Sequence, residues 1–215
     1  MIRHDGVVFD FGVNNGGFAR LVAPKCARVV GFEADPTWLG RVSLPANVRV
    51  LPQALAAKAG TLRFHVNQAT CSSLHYSDVG AETVEVPAVT LADALALEPA
   101  ARIDLIKMDI EGEEVAVLRD APSELFARVG QMTVEFHDFL DPSSLPAILE
   151  VIERMKSLGF LVFKMSWHSY GDMLFVNRRL QPMSLLQQFK VGVIHKYGSG
   201  IGRILRRWFL SKAKR

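Results

Sequence analysis

Short apolar runs recur along the chain, and several stop at an acidic residue followed by small or polar ones. "VVFDF" at 7–11 leads into "GVNNGG", and "RVVGF" at 28–32 leads into "EADP". "IDLIKM" at 103–108 leads into "DIEGEE", and "QMTVEF" at 131–136 leads into "HDF". A run that is apolar at nearly every position suits a strand covered on both faces, as in a parallel sheet flanked by helices. The pattern predicts strands over Val7–Phe11, Arg28–Phe32, Val48–Leu51, Ile103–Met108, Gln131–Phe136, Phe160–Met165 and Asp172–Val176. Helices are expected over Gly17–Ala23, Thr37–Val42, Leu91–Leu97, Glu113–Arg119 and Ser144–Leu158. About six residues separate the last two strands, too few for a parallel crossover, so they should pair antiparallel. The expectation is an α/β fold with a mostly parallel seven-stranded sheet and an antiparallel last strand. Between 60 and 89, "TLRFHV" and "TVEVPAV" favour strand, either as an inserted hairpin or as an extension of the sheet edge.

Open parallel sheets bind ligands beyond the C-terminal strand ends, where strand order reverses. Strand one ends in Asp10, Gly12, Asn14, Asn15 and Gly16, and strand two in Glu33. Strand four ends in Asp109, Glu111 and Glu113, and strand five in Glu135, His137 and Asp138. Acidic groups and one histidine therefore gather on one rim. A glycine turn with an acid about 20 residues on would admit a dinucleotide. Against that, the glycines do not fit G-x-G-x-x-G, because Asn14 stands where the second glycine belongs. Charge weighs more. Two phosphate negatives beside Asp10, Glu33 and Asp109 would cost several kcal/mol on a rough Coulomb estimate. S-adenosylmethionine has no phosphate and carries a sulfonium and an ammonium, which the same rim attracts.

"DFGVNNGGFA", "GFEADP", "IKMDIEGEEVAVLRDA" and "VEFHDF", in that order and spacing, resemble the FkbM-type family of S-adenosylmethionine-dependent methyltransferases. The resemblance spans roughly residues 5–177, and the block Asp109–Glu114 is its most specific part. It implies the Rossmann-like class I methyltransferase fold and methylation of hydroxyl oxygens. Here Val13 replaces the alanine more usual in the family's turn, and the N-terminus is too short for the helix that often lids the cofactor.

On this reading Asp10, Gly12, Asn14, Asn15 and Gly16 cradle the methionine end of the cofactor. The plain alternative is an ordinary strand-to-helix turn. Glu33 takes both ribose hydroxyls, and Gln53 and Ala54 lie where class I enzymes contact adenine. Asp109 stands where the methyl leaves; it could hold the cofactor's amino group, orient an acceptor hydroxyl or bind a divalent ion, though nothing here requires a metal. Glu111 borders the same site, or else orders the loop by accepting backbone N–H bonds at the next helix. Lys107 could pair with an acid. Glu135 and His137, two residues apart, can face one pocket. His137 is then the general base, oriented by Glu135. The alternative is a structural histidine at a strand end. His65, His75 and His168 are weaker candidates. "SWHSYGD" at 166–172 and the 60–89 insertion are expected to border the acceptor.

Charge divides the chain. Asp172 is the last acidic residue, and ten of the 25 Lys and Arg follow it. The remaining 15 face all 22 acids, a net of −7 over residues 1–172. The expected organisation is a catalytic domain over 1–177 and a basic amphipathic extension over 178–215. Within 201–213, Ile201, Ile204, Leu205, Trp208 and Phe209 fall on one helical face among arginines. That pattern suits an anionic membrane surface, where each basic group contributes roughly 1 kcal/mol. Packing onto the domain or onto a second subunit is the alternative. Nucleic acid is disfavoured by the Trp- and Phe-rich face. No zinc spacing, serine elbow or run of about 18 apolar residues is present. Cys26 and Cys71 read as reduced thiols of a cytoplasmic protein, peripheral to the inner membrane if the tail binds lipid. The acceptor is expected to be a small molecule, a glycan or a lipid-linked hydroxyl compound. Two other readings stay open: an NAD-dependent oxidoreductase, and a non-catalytic membrane- or nucleic-acid-binding module on a vestigial cofactor fold.

Overall fold

The computed structural model describes residues 2–39, 41–66, 82–99 and 102–195. The 201–213 stretch, Cys71 and His75 lie outside the described residues. Seven strands form one sheet: β1 (Val7–Phe11), β2 (Arg28–Phe32), β3 (Val48–Leu51), β7 (Ile103–Met108), β8 (Gln131–Val134), β9 (Phe160–Lys164) and β10 (Met173–Asn177). Their order is β3-β2-β1-β7-β8-β10-β9. β10 runs antiparallel to both its neighbours and the other pairs are parallel, as expected. Order reverses between β1 and β7, so the switch point lies where the acids cluster.

The 60–89 region resolves into a hairpin of its own. β5 (Gly60–Val66) and β6 (Glu82–Val89) pair antiparallel, and β4 (Ala54–Leu55) joins β6 in a separate three-stranded sheet, leaving β3 as the main sheet's edge. Strand five stops at Val134 instead of Phe136, and the helix expected over 37–42 is the single turn α2 (Pro36–Leu39). Glu135 N–H still donates to Met108 O of β7 at 2.9 Å, and His137 stands on the loop beyond.

Alternation along β1 sorts the two faces. Val7, Phe9 and Phe11 enter a large core with α3 (Leu91–Ala96), α4 (Glu114–Asp120) and α5 (Leu145–Ser157). Val8 faces the other way, onto Ala19 and Val22 of α1 (Gly17–Val22). Asp10 shares Val8's parity and is fully buried at the strand's end. α5 buries Ile148, Val151, Ile152 and Met155 at helical spacing. α6 (Leu185–Phe189) follows β10 and continues into a wider helical turn over Lys190–His195. No helix among the described residues is long and apolar enough to cross a membrane.

Candidate active site

The turn after β1 is held shut by its own hydrogen bonds. Gly12 and Val13 N–H both donate to Phe32 O, at 3.0 and 3.2 Å. Asn14 N–H donates to Glu33 Oε2 at 2.6 Å, and Asn15 N–H to Asn14 Oδ1 at 2.6 Å. Gly16 N–H donates to Val13 O at 2.9 Å and Gly17 N–H to Asn15 Oδ1 at 2.9 Å. Every N–H from Gly12 to Gly17 thus has a protein acceptor, and the turn as it stands has none to spare for a phosphate. Gly12 sits at φ +81, and a Cβ there would lie 1.9 Å from Asp109 O, so only glycine lets β1 and β7 end this close together.

Lys107 stands across from Asp10 in the parallel register of β1 and β7. Its Nζ donates to Gly12 O at 2.5 Å, pairs with Asp109 Oδ2 at 3.1 Å and lies 3.7 Å from Asp10 Oδ1. Asp10 is left with no hydrogen bond on either carboxyl oxygen. Burial raises its pKa from 3.8 to about 7; Lys107 resists the rise, and Asp109 and Glu33 add to it. Glu33 is also buried, and burial pushes its carboxyl up against the N–H groups of Asp35 and Asn14. Those two bonds use one lone pair on each Glu33 oxygen, so each oxygen can still accept a hydroxyl. Ala54 lies in β4, and Ala34, beside Glu33, packs against its cluster; Gln53 N–H bonds Leu51 O at 2.9 Å.

Across the switch point the structure gathers Asp109, Glu111, Glu114 and His137. Glu114, 1% exposed, accepts Ile110 N–H at 2.8 Å and Gly112 N–H at 3.0 Å. The loop-ordering role considered for Glu111 therefore falls to Glu114, the last acid of D-x-E-G-x-E. A carboxylate on the helix's first residue can reach back over the loop. Glu111, in a left-handed conformation at φ 56, instead puts Oε2 3.1 Å from His137 Nε2. His137 Nδ1 lies 3.4 Å from Glu114 Oε1, a contact without hydrogen-bond alignment, and Asp109 Oδ1 is 3.9 Å from Nε2.

Burial works against a charge on His137. Pairing with Glu111 and with Glu114 outweighs it and pushes the pKa to about 10. An imidazolium that already holds both protons cannot take another, so this arrangement does not suit the general base expected at His137. Its orienting partners are also Glu111 and Glu114 instead of Glu135. Burial, then the charges of Asp109 and Asp172, raise the pKa of half-buried Glu135. Asp109, Glu114 and His137 each offer one ligand atom within 4.8 Å of the others, a spacing that could hold a divalent ion if His137 gave up its proton.

A cavity of ≈ 500 Å³ opens beside His137, lined among others by Glu114, Val115, Leu140, Ser144 and Ile148. Of its lining, only His137 is among the site residues expected from the sequence. The 166–172 loop does border this rim: Asp138 accepts Tyr170 N–H at 3.0 and 2.9 Å. His168 is exposed on that loop.

Compared with known proteins, residues 10–162 match the model of the methyltransferase FkbM domain. The chain belongs to the FkbM methyltransferase family. It shares the fold of the FkbM methyltransferase from Methylobacillus flagellatus, with a TM-score of 0.52 at 14% identity. That similarity covers 82% of this chain and 44% of the Methylobacillus one, so this member of the family spans under half the length of that relative. An rRNA methylase from Streptococcus thermophilus gives a TM-score of 0.47 at 12% identity, covering 81% and 86% of the two chains. A Streptococcus mutans methyltransferase, crystallised with S-adenosylhomocysteine, gives 0.47 at 8%, covering 81% and 88%. No curated protein matches the chain. In this member of the FkbM family the sheet order and the antiparallel last strand are those of the class I fold.

Proposed function

We propose that this chain transfers the methyl group of S-adenosylmethionine to a hydroxyl oxygen of a small-molecule, glycan or lipid-linked acceptor. One observation carries the choice of cofactor. The turn has every N–H satisfied and is ringed by Asp10, Glu33 and Asp109, two of them buried. A pyrophosphate would find no free donor and three carboxyl groups, whereas a sulfonium and an ammonium find favourable charge. Lys107 softens this field without reversing it. Around the switch point six carboxyl groups, Asp10, Glu33, Asp109, Glu111, Glu114 and Glu135, face two cations, Lys107 and His137.

S-adenosylmethionine supplies an electrophilic methyl on sulfur. Glu33 holds the ribose hydroxyls on its free lone pairs, Gln53 and Ala54 border the adenine, and Asp10 and Asp109 attract the cationic end. The 500 Å³ cavity is of ordinary small-molecule size and takes the acceptor. Glu135 receives the hydroxyl proton, its basicity raised by burial and by the charges of Asp109 and Asp172. His137, charged and held by Glu111 and Glu114, sets its positive charge beside the acceptor in the cavity it lines. The products are the methyl ether, S-adenosylhomocysteine and a proton.

Calorimetric titration of the full chain with S-adenosylhomocysteine and with NAD tests the reading. Binding of the first and none of the second is expected; NAD binding alone would restore the oxidoreductase, and no binding of either would favour a vestigial fold. Labelled-methyl transfer to an alcohol acceptor and to its amine analogue separates oxygen from nitrogen methylation.

A further inference from the structure

α6 is placed unusually for a helix in a soluble domain. A capping box fixes its start: Ser184 accepts Gln187 N–H, and Gln187 reaches back to Ser184 N–H. Yet it buries none of its residues, and it exposes Leu185 by 83%, Leu186 by 63% and Phe189 by 59%. Three large apolar side chains on one short helix form a patch that solvent does not favour.

The path of the chain gives this patch a direction. β9 runs parallel to the other strands, so its end at Lys164 lies on the rim of the cleft, and Asn177 pairs with Phe160 at the opposite edge. From there the chain climbs back along β9. A methyl on Gly192 would stand 3.6 Å from the Phe163 ring, near the rim. Gly192 therefore brings the described chain back to the rim three residues before its last described residue, His195, beyond which 20 residues of sequence follow. Those 20 carry seven Lys and Arg and no acid. On the same rim Phe139, Leu140 and Trp167 are each at least 50% exposed.

We infer that α6 and the chain beyond it dock this protein on an anionic lipid bilayer. Leu185, Leu186 and Phe189 enter the interface, and the basic residues meet the headgroups. The acidic domain, net −7 over residues 1–172, is repelled by the same surface, so attraction is confined to the C-terminal end. With the turn after α6 lying against Phe163 near the cleft, the rim lies close to the membrane. That orientation, unlike the docking, rests on reading the cleft as the methyl-transfer site.

Flotation of the full chain with vesicles tests the docking without an activity readout. Vesicles of phosphatidylglycerol in phosphatidylcholine should carry the protein, pure phosphatidylcholine at least about tenfold less, and salt should release it. The double variant Leu186→Glu/Phe189→Glu should lose at least about tenfold in partitioning while melting and binding S-adenosylhomocysteine like wild type. If that variant misfolds, Leu185→Gln and quenching of tryptophan fluorescence by brominated lipid give the same answer. Equal binding to both vesicle types, unchanged binding of the variant, or displacement from vesicles by an RNA oligonucleotide would overturn the inference. So would a dimer that forms in place of vesicle binding and is lost in the variant, since a second copy would then cover the patch.

Discussion

Replacing Asp10 by Asn removes a carboxyl that is fully buried, unpaired by hydrogen bonds and shifted from 3.8 to about 7. Between those values the folded protein binds more protons at this site than the unfolded chain does. The stability that Asp10 contributes is therefore fully present below pH 3.8, falls as pH rises toward 7, and is flat above. The rise from 3.8 to about 7 corresponds to ~4 kcal/mol lost across that window. Asn carries no charge, but its amide brings one more donor than the neutral carboxyl into the same partnerless site, which costs about 1–3 kcal/mol beyond that carboxyl. Asp10→Asn should therefore be more stable than wild type at pH 8 by about 1–3 kcal/mol, a rise in Tm of about 5 °C. Near pH 4 it should be the less stable of the two. Urea denaturation of both proteins from pH 4 to 9 reads the difference directly, and subtraction cancels groups common to both. Cofactor binding moves the other way. A cationic ligand favours ionised Asp10, so wild-type affinity for S-adenosylmethionine should climb from pH 6 to 8, and Asp10→Asn should be weaker and lack that climb. A stability difference that stays constant with pH would refute the assignment of the raised pKa to burial.

Glu114→Gln keeps one acceptor where two N–H groups and an imidazole need charge. Denaturation midpoints should show a loss of about 1–3 kcal/mol, and NMR titration should find His137 below about 10. Lys107→Met leaves Asp10 and Asp109 without their shared cation and should cost about 1–3 kcal/mol at pH 8, because Asp10 can take a proton in place of the lost partner. A double-mutant cycle should recover part of that loss in Lys107→Met/Asp10→Asn, and simple additivity would show that the pair does not interact. Gly12→Ala places a methyl 1.9 Å from Asp109 O at φ +81, so folded protein and cofactor binding should be lost together. A stable Gly12→Ala protein with normal affinity would mean that the turn is looser than its hydrogen bonds imply.

The sheet could be read from the chain because burial on both faces leaves a strand no polar alternation to hide in. "VVFDF", "RVVGF" and "IDLIKM" fall on β1, β2 and β7 at the expected bounds. Acids at the strand ends were equally plain, since a charge directly after such a run has few places to go except the rim. Partnership was less legible. Glu111 and Glu114 are both acids of one motif, and only the loop's path, with Glu111 left-handed, decides which turns toward His137 and which grips the backbone. The cavity beside His137 draws on the start of α4, the loop after β8 and α5, three segments that no local pattern ties together.

By itself the sequence determined the α/β architecture, the family and the rim on which the acids collect. The architecture and the rim follow from periodicity and strand ends, and the family from the resemblance of its motifs, all of them local properties of the chain. Only the tertiary structure decided the charge state of the site. Register set Lys107 opposite Asp10 across nearly a hundred intervening residues, and the loop after β8 carried His137 between Glu111 and Glu114. Protonation depends on distances between groups and on the water removed around them, and folding alone fixes both.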